Sequence, residues 1–308
     1  MKNIFKKIII ASSLLGLVFF YGCSEDDVLP IDVVVPNIDI SLSATTSDGT
    51  TLVDGGNVSA ADSFSIVISI TAEAGFNTLN TSGDVASSTI NRNDLDIASG
   101  TTNAEVTLTV STSNSLGDGS IDFEAVDEEG NTANASFSFV VVSPAAKIQT
   151  AVMLYAPLGD SSSQTFYSIA NNQTYSLGNV ISTSDPVSAS IDFGYYYGSS
   201  DNAALASPAE YTIYDLSAWG SQNETTLAVT TITSAEYLEM VSVSDIETAL
   251  AGVDVTDANG TITNLSANDI LMFKTVDNVQ GLIHVSTITG TDGSDGMIEL
   301  EMKLAASE

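Results

Sequence analysis

Along much of the chain apolar and polar residues alternate with a period of two. Phe64, Ile66, Ile68 and Ile70 alternate with Ser65, Val67, Ser69 and Thr71. Val106, Leu108 and Val110 do so with Glu105, Thr107 and Thr109, and Ile121 and Phe123 with Asp122 and Glu124. Ala135, Phe137, Phe139 and Val141 close the series against Asn134, Ser136, Ser138 and Val140. Successive side chains of a strand point to opposite faces, so each segment predicts a strand with one apolar and one mostly polar side. That is the pattern of antiparallel sheets packed as a sandwich. The last two segments flank Asp127-Glu128-Glu129-Gly130-Asn131, where Gly and Asn tolerate the positive φ that a hairpin turn requires.

The stretch FEAVDEEGNTANASFSFVV resembles the final hairpin of bacterial Ig-like and cadherin-like repeats. The resemblance is close over 121–142 and loose over 37–142. It implies a seven-strand sandwich acting as a spacer or display stalk. With no Cys pair and no Trp in this region, an antibody-type domain is excluded.

Val140 to Ala146 makes a boundary, and a second β-rich module is expected over 147–308. It ends in a three-strand meander, Ile270–Val276, Gly281–Thr289 and Met297–Lys303, with Ile298, Leu300 and Met302 facing in and Glu299, Glu301 and Lys303 facing out. One or two short helices interrupt it. Thr233 or Ser234 caps the first, with Glu236 placed for a capping box, and Ser244 with Glu247 reads as the box of the second. The overall class is mainly β: an Ig-like sandwich over 37–143, then the β-rich module. Stretches such as SIDFGYYYG, YDLSAWG and NLSANDILMFKT are similar to the C-terminal parts of Bacteroidota lipoproteins.

The N-terminus changes the picture of where these modules sit. Lys2, Lys6 and Lys7 precede an apolar run from Ile8 to Gly22. The run falls short of the roughly 20 residues a membrane span needs and matches the apolar region of a signal peptide, assigned to 1–22. It stops at Phe20-Tyr21-Gly22-Cys23, which resembles the lipobox of bacterial lipoproteins, with Phe20 and Tyr21 bulkier than the usual residues. The resemblance implies cleavage before Cys23 and acylation of that residue, the single Cys of the chain. Ser24-Glu25-Asp26-Asp27 resembles the acidic export signal of Bacteroidota surface lipoproteins, which implies an outer-membrane anchor facing the exterior, with 23–36 as the tether.

Composition narrows the partners. The 308 residues carry 7 Lys and Arg against 39 Asp and Glu, a formal net charge of −32. Removing the signal peptide leaves only Arg92, Lys147, Lys274 and Lys303 as cations. Such a field repels phosphate backbones and anionic lipid, so nucleic acid is excluded as a partner. Solubility in salty surroundings explains the acidity without a ligand.

Catalytic chemistry finds little to stand on. His284 is the only His, on a strand beside Leu282 and Ser286, and its leading reading is structural. A zinc site built on several His and Cys is excluded. No cofactor is expected, with calcium left open. Asp254-Val255-Thr256-Asp257-Ala258-Asn259-Gly260 imitates a calcium loop out of register, and Asp292-Gly293-Ser294-Asp295-Gly296 is an acidic turn. Asp254, Asp257, Asn259, Asp292 and Asp295 are therefore turn residues first and calcium candidates second.

The aromatic cluster carries the functional reading. Tyr195, Tyr196 and Tyr197 are followed by Tyr211, Tyr214 and Trp219. Alternation puts Ile191, Phe193, Tyr195 and Tyr197 on the core face, with Tyr196 opposite beside Asp192. For the cluster as a whole, core is the leading reading over a ligand platform; Tyr196 and Trp219 are the best candidates for exposure, where aromatics stack on sugar faces. Asp192, Tyr211 and Tyr214 complete that candidate site.

The first reading is a non-enzymatic surface lipoprotein that captures polysaccharide. The second is a structural or adhesion protein that binds other proteins. A glycoside hydrolase with a carboxylate pair comes last, since no motif fixes two acids at one cleft. Burial of Tyr196 and Trp219 decides the order: exposed, they favour glycan capture; buried, they put adhesion first.

Overall fold

The computed structural model describes residues 37–180, 187–254, 256 and 258–305. The signal peptide, Cys23, the acidic Ser24-Glu25-Asp26-Asp27 and the calcium candidate Asp257 lie outside the described residues.

The fold is mainly β, as the alternation predicts. Its first part holds β1 (Ile38–Thr46), β2 (Thr51–Leu52), β3 (Gly56–Ser59), β4 (Ser63–Ala72), β5 (Phe76–Gly83), β6 (Ser88–Asn91), β7 (Asn103–Ser111), β8 (Gly117–Asp127) and β9 (Thr132–Val142). They form two sheets, β2-β1-β4-β7 and β3-β9-β8-β5-β6. The orders β1-β4-β7 and β5-β8-β9 are the A-B-E and C-F-G orders of an immunoglobulin-type sandwich. The strands number nine and not the seven expected. β2, β3 and β6 are two to four residues long, too short for alternation to register.

The core is what the period of two puts inside. Phe64, Ile66, Ile68 and Ile70 of β4 are all buried, and Phe64 meets Phe139 and Phe137 of the facing sheet at 5.1 and 6.0 Å between ring centroids. Truncating Phe64 to Ala would cost about 3–5 kcal/mol, because the facing rings cannot close the gap. The β8–β9 turn is held by Asp127, whose carboxylate accepts from Glu129 N (3.0 Å), Asn131 N (2.8 Å) and Asn131 Nδ2 (2.7 Å), with Gly130 at φ +89°. Glu128 pairs with Arg92 and accepts from Ser99 Oγ and Gly100 N, which ties the hairpin to the loop after β6.

The second part comprises β10 (Lys147–Tyr155), β11 (Gln164–Ser168), β12 (Gln173–Ser176), α1 (Leu177–Val180), β13 (Phe193–Gly198), β14 (Asn202–Ala206), β15 (Thr226–Val229), α2 (Ser234–Glu239), α3 (Val243–Ala251), β16 (Thr261–Ile262), β17 (Ile270–Lys274), β18 (Gln280–Thr289) and β19 (Met297–Leu304). Two antiparallel sheets face each other, β10-β19-β18-β17-β15 and β12-β11-β13-β14-β16. Phe193, Tyr195, Leu205, Phe273, Ile283 and Leu300 belong to the core they share.

Each sheet is also covered on its outer face, and this the alternation does not announce. Residues 207–225 pack on the β13–β14 side, and α2 with α3 pack Tyr237 and Ile246 against Ile270, Met272 and Leu282 on the other. No helix among the described residues is long and apolar enough to cross a membrane.

Thr233 caps α2, and its capping box with Glu236 forms as predicted. For α3 the box moves two residues upstream, to Ser242 and Asp245. Ser242 is still extended, at φ −120° and ψ 161°, and bridges to Ala145, so the first helical residue is Val243. The segment 143–146 is bound to this corner as well: Val243 N donates to Pro144 O at 2.9 Å and Ser244 N to Ser143 Oγ at 3.0 Å. Lys303 points away from the shared core as expected but is buried all the same, beneath α2.

Candidate functional site

The aromatic cluster is a second small core. Tyr196 and Trp219 are 5% and 7% exposed, which corrects their candidacy for exposure and places them in core, the leading reading of the cluster. The cause is the 207–225 segment, which folds back over the outer face of β13. It sets Trp219 against Phe166 at 4.9 Å and Tyr211 edge-on to Tyr196 at 5.8 Å between centroids. Tyr211 Oη donates to Tyr195 O at 3.0 Å, and Tyr214 Oη donates to Leu158 O at 2.7 Å.

Asn223 fastens the end of the segment by donating to Ala189 O (2.8 Å) and Ile191 O (2.9 Å). Gly194 permits the approach, since a Cβ there would stand 2.7 Å from Phe166 Cδ1 and 2.9 Å from Tyr211 Cε2. The rings thus bring Tyr196, Tyr211, Tyr214 and Trp219 together as predicted, facing protein. Burial raises the Tyr211 hydroxyl well above its ordinary pKa.

Asp192 is parted from that cluster. It is 6% exposed and lines a cleft of about 290 Å³ between the entrance to β13 and the β17–β18 turn. Its Oδ2 accepts from Ile169 N at 2.7 Å. Burial pushes its pKa up to about 6, against the Ile169 hydrogen bond and with help from the charge of Asp277 across the cleft. Ile169, Val187, Ala189 and Val279 supply apolar wall, and Thr275 lines the cleft beside them.

The described calcium candidates serve their own turns. Asp254 Oδ1 accepts from Thr256 N and Oγ1, Asn259 Oδ1 accepts from Thr261 N, and Asp292 Oδ1 accepts from Thr291 Oγ1. Asp295 sits in the β18–β19 connection, its carbonyl packed against Gly290. Among the described residues no group of three or more His, Cys, Asp or Glu is placed to hold a metal ion.

His284 packs its ring 5.3 Å from that of Tyr237, with Nε2 3.4 Å from Ser234 Oγ and Glu301 opposite on β19. Its pKa is lowered, mainly by burial. It sits on the same side as Leu282, against the helices.

One feature escaped the sequence. Among the described residues β10 is an edge strand, paired with β19 alone apart from a bond from Thr165 Oγ1 to Tyr155 O at 3.1 Å, and along it Ile148, Met153 and Tyr155 are 48%, 38% and 36% exposed. Between them the strand bulges at Thr150 and Ala151, with Ala151 at φ +55°. The bulge lets Gln149, Val152 and Leu154 all point inward despite their odd spacing. β10 borders an open cleft of about 430 Å³ whose lining includes Met153, Tyr155, Gln164, Asn172, Gln173 and Thr174. Glu299 and Met297 of β19 stand opposite Met153 and Tyr155. The apolar run AVMLY reads as a buried strand, so the signal for an exposed edge was a broken alternation at Ala151 and nothing more.

On the first sandwich, Asn80, Asp122, Glu124 and Asn134 line a polar cleft of about 470 Å³. Three of its side chains bond one another, Asn80 Nδ2 donating to Glu124 Oε2 (2.9 Å) and Thr89 Oγ1 to Asn80 Oδ1 (2.8 Å).

No protein-family model matches the chain, and no curated protein is similar to it in sequence. Among solved structures it is similar to the crystal structure of a DUF4466 family protein from Parabacteroides merdae ATCC 43184, at 10% identity. The likeness covers 86% of this chain and 98% of that one with a TM-score of 0.38, a value that carries no argument about function.

Proposed function

We propose that this chain is a non-catalytic lipoprotein, anchored by acyl groups on Cys23 and displayed on the outer membrane, that binds other proteins along the open edge of β10. The observation that carries the reading is the row Ile148, Met153 and Tyr155 on an unpaired strand edge. A free edge offers backbone donors and acceptors to an extended segment, and soluble proteins usually blunt such edges with charge or Pro. Here the row is apolar; Glu299 stands opposite Met153 in a chain of net charge −32, while Lys147 and Lys303 flank Ile148 at the other end of the strand. The matching partner is an extended segment that alternates apolar and basic residues. Burial of Tyr196 and Trp219 gives this reading precedence over glycan capture.

Glycan capture keeps one observation of its own. The same cleft sets Tyr155 beside the amides Gln164, Asn172 and Gln173, a pairing suited to an uncharged sugar. Parallel arrays separate the two. The adhesion reading expects retention of alternating Lys/Val-type peptides, lost in Met153→Lys and unaffected by Gln173→Ala. Retention of a neutral polysaccharide, lost in Gln173→Ala, would put glycan capture first. A chain that retains neither would sink both.

A further inference from the structure

The cleft between the entrance to β13 and the β17–β18 turn has no part in the proposed edge docking, and its floor is chemically unusual. Asp192 is a carboxylate more than nine-tenths buried. Among the described residues its one engaged oxygen is Oδ2, which accepts from Ile169 N at 2.7 Å. Oδ1 has no partner among the described residues, and the side chain lines the cleft. Accepting one backbone N–H is a task an Asn would perform without placing a charge in an apolar site. A second carboxylate, Asp277, lines the same cleft from the β17–β18 turn and adds its own negative field. No Lys or Arg is among the lining residues. A buried charge without a counter-charge is costly, and a ligand that supplies the opposite charge recovers that cost on binding.

We propose that this cleft binds a primary ammonium group carried on a compact carbon body, with Asp192 as the buried acceptor and Asp277 as the acceptor at the mouth. A hard cation such as calcium requires six to eight oxygen ligands, whereas Ile169, Val187, Ala189 and Val279 give this cleft apolar wall. An ammonium needs only one to three acceptors, and its carbon body profits from such walls. The volume of about 290 Å³ suits a single side chain or one sugar ring. The raised pKa of Asp192 fits a carboxylate that lacks a partner of opposite charge.

Two sources share this chemistry, a lysine side chain and an amino sugar. Both are probed by titrating the full chain at pH 7.5 with n-butylammonium, Nα-acetyl-lysine amide and glucosamine. The amide resonances of Ile169 and Thr275 report the occupied cleft.

Saturable shifts with butylammonium are expected, with n-butanol and N-acetylglucosamine inert. Asp192→Asn should weaken binding about tenfold or more, and Asp277→Asn by less, as removal of a buried and a rim charge partner predicts. Ala189→Phe, which fills the cleft and leaves both acids in place, should abolish the shifts. Tighter binding of the lysine amide or of glucosamine identifies the source. The proposal is overturned if no amine shifts these resonances, if Asp192→Asn binds as well as the wild type, or if calcium produces the shifts and the amines do not.

Discussion

Lys303 Nζ donates to the carbonyl oxygen of Tyr237 at 2.7 Å and lies 4.4 Å from the centre of the same residue's ring. A second hydrogen bond, to Met240 O at 2.9 Å, completes a clasp on the last turn of α2. The helix is six residues long, too short to persist by its own hydrogen bonds. The ammonium adds a second donor to Tyr237 O, which also accepts from Met240 N at 3.3 Å, supplies one to the cap carbonyl of Met240, and brings positive charge to the negative end of the dipole. One of the four cations that follow Cys23 is thus committed to the helix layer over β17 and β18.

Lys303→Met tests the clasp. Methionine fills most of the volume but removes the donor from Met240 O and leaves Tyr237 O with the 3.3 Å bond from Met240 N, a loss of about 1–3 kcal/mol. Urea unfolding should show a lower midpoint with little change in slope, and hydrogen exchange should show faster opening of residues 234–240 than of β4 or β8. An unchanged midpoint would mean that water replaces the ammonium at little cost.

Trp219→Ala should behave as a core truncation. The ring packs on Phe166 beneath the folded-back segment, so its removal should cost about 3–5 kcal/mol and lower the thermal midpoint by several degrees. Trp219→Phe should keep most of that loss at bay. Acrylamide should quench the single tryptophan weakly in the native chain and fully in urea. Strong native quenching would reopen the platform reading.

What alternation could and could not reveal follows from these cases. A strand with one wet face shows itself by its period, as in β4, β8 and β9. It is silent about what lies on the second face when that face is also covered. Alternation places Tyr196 outside the shared core, and there it lies; a segment fifteen residues further on then covers it. Lys303 was read as solvated for the same reason, and a helix covers that one. Edges are hidden in a different way. The β10 run AVMLY is apolar enough for a central strand, and the bulge at Ala151, which fixes what faces outward, depends on a backbone conformation that an alanine does not advertise. The site residues named from sequence split accordingly: the rings cluster as foreseen, while Asp192 belongs to a cleft formed with Asp277, eighty-five positions away.

Cys23→Ser tests the anchor. Acyl groups contribute about 0.8 kcal/mol for each buried CH₂, so a chain with two or three of them stays with membranes through washing. In cells fed an alkyne fatty acid, the native chain should take up label and sediment with outer membranes. The Ser variant should remain unlabelled and appear in the soluble fraction. A labelled Ser variant, or a native chain without label, would remove the lipoprotein reading and leave the folded sandwiches untouched.

Asp192→Asn should make the protein more stable at neutral pH. The folded-state pKa, about 6, lies above the ordinary 3.8, so between those values the folded chain holds more proton than the unfolded chain. Stability from this group is therefore fully present below about pH 4 and is lost as pH rises through about 6. Each unit corresponds to about 1.4 kcal/mol, so at pH 7.5 the buried charge costs on the order of 3 kcal/mol. Asparagine carries no such charge, and its amide oxygen can still accept from Ile169 N. Urea midpoints should then favour the variant at pH 7.5 and converge with the wild type near pH 4. A natural carboxylate that lowers stability at neutral pH is what a binding site retains when a cationic ligand uses it. If the variant is weaker at both pH values, the hydrogen bond to Ile169 outweighs the charge, and Asp192 is a structural residue.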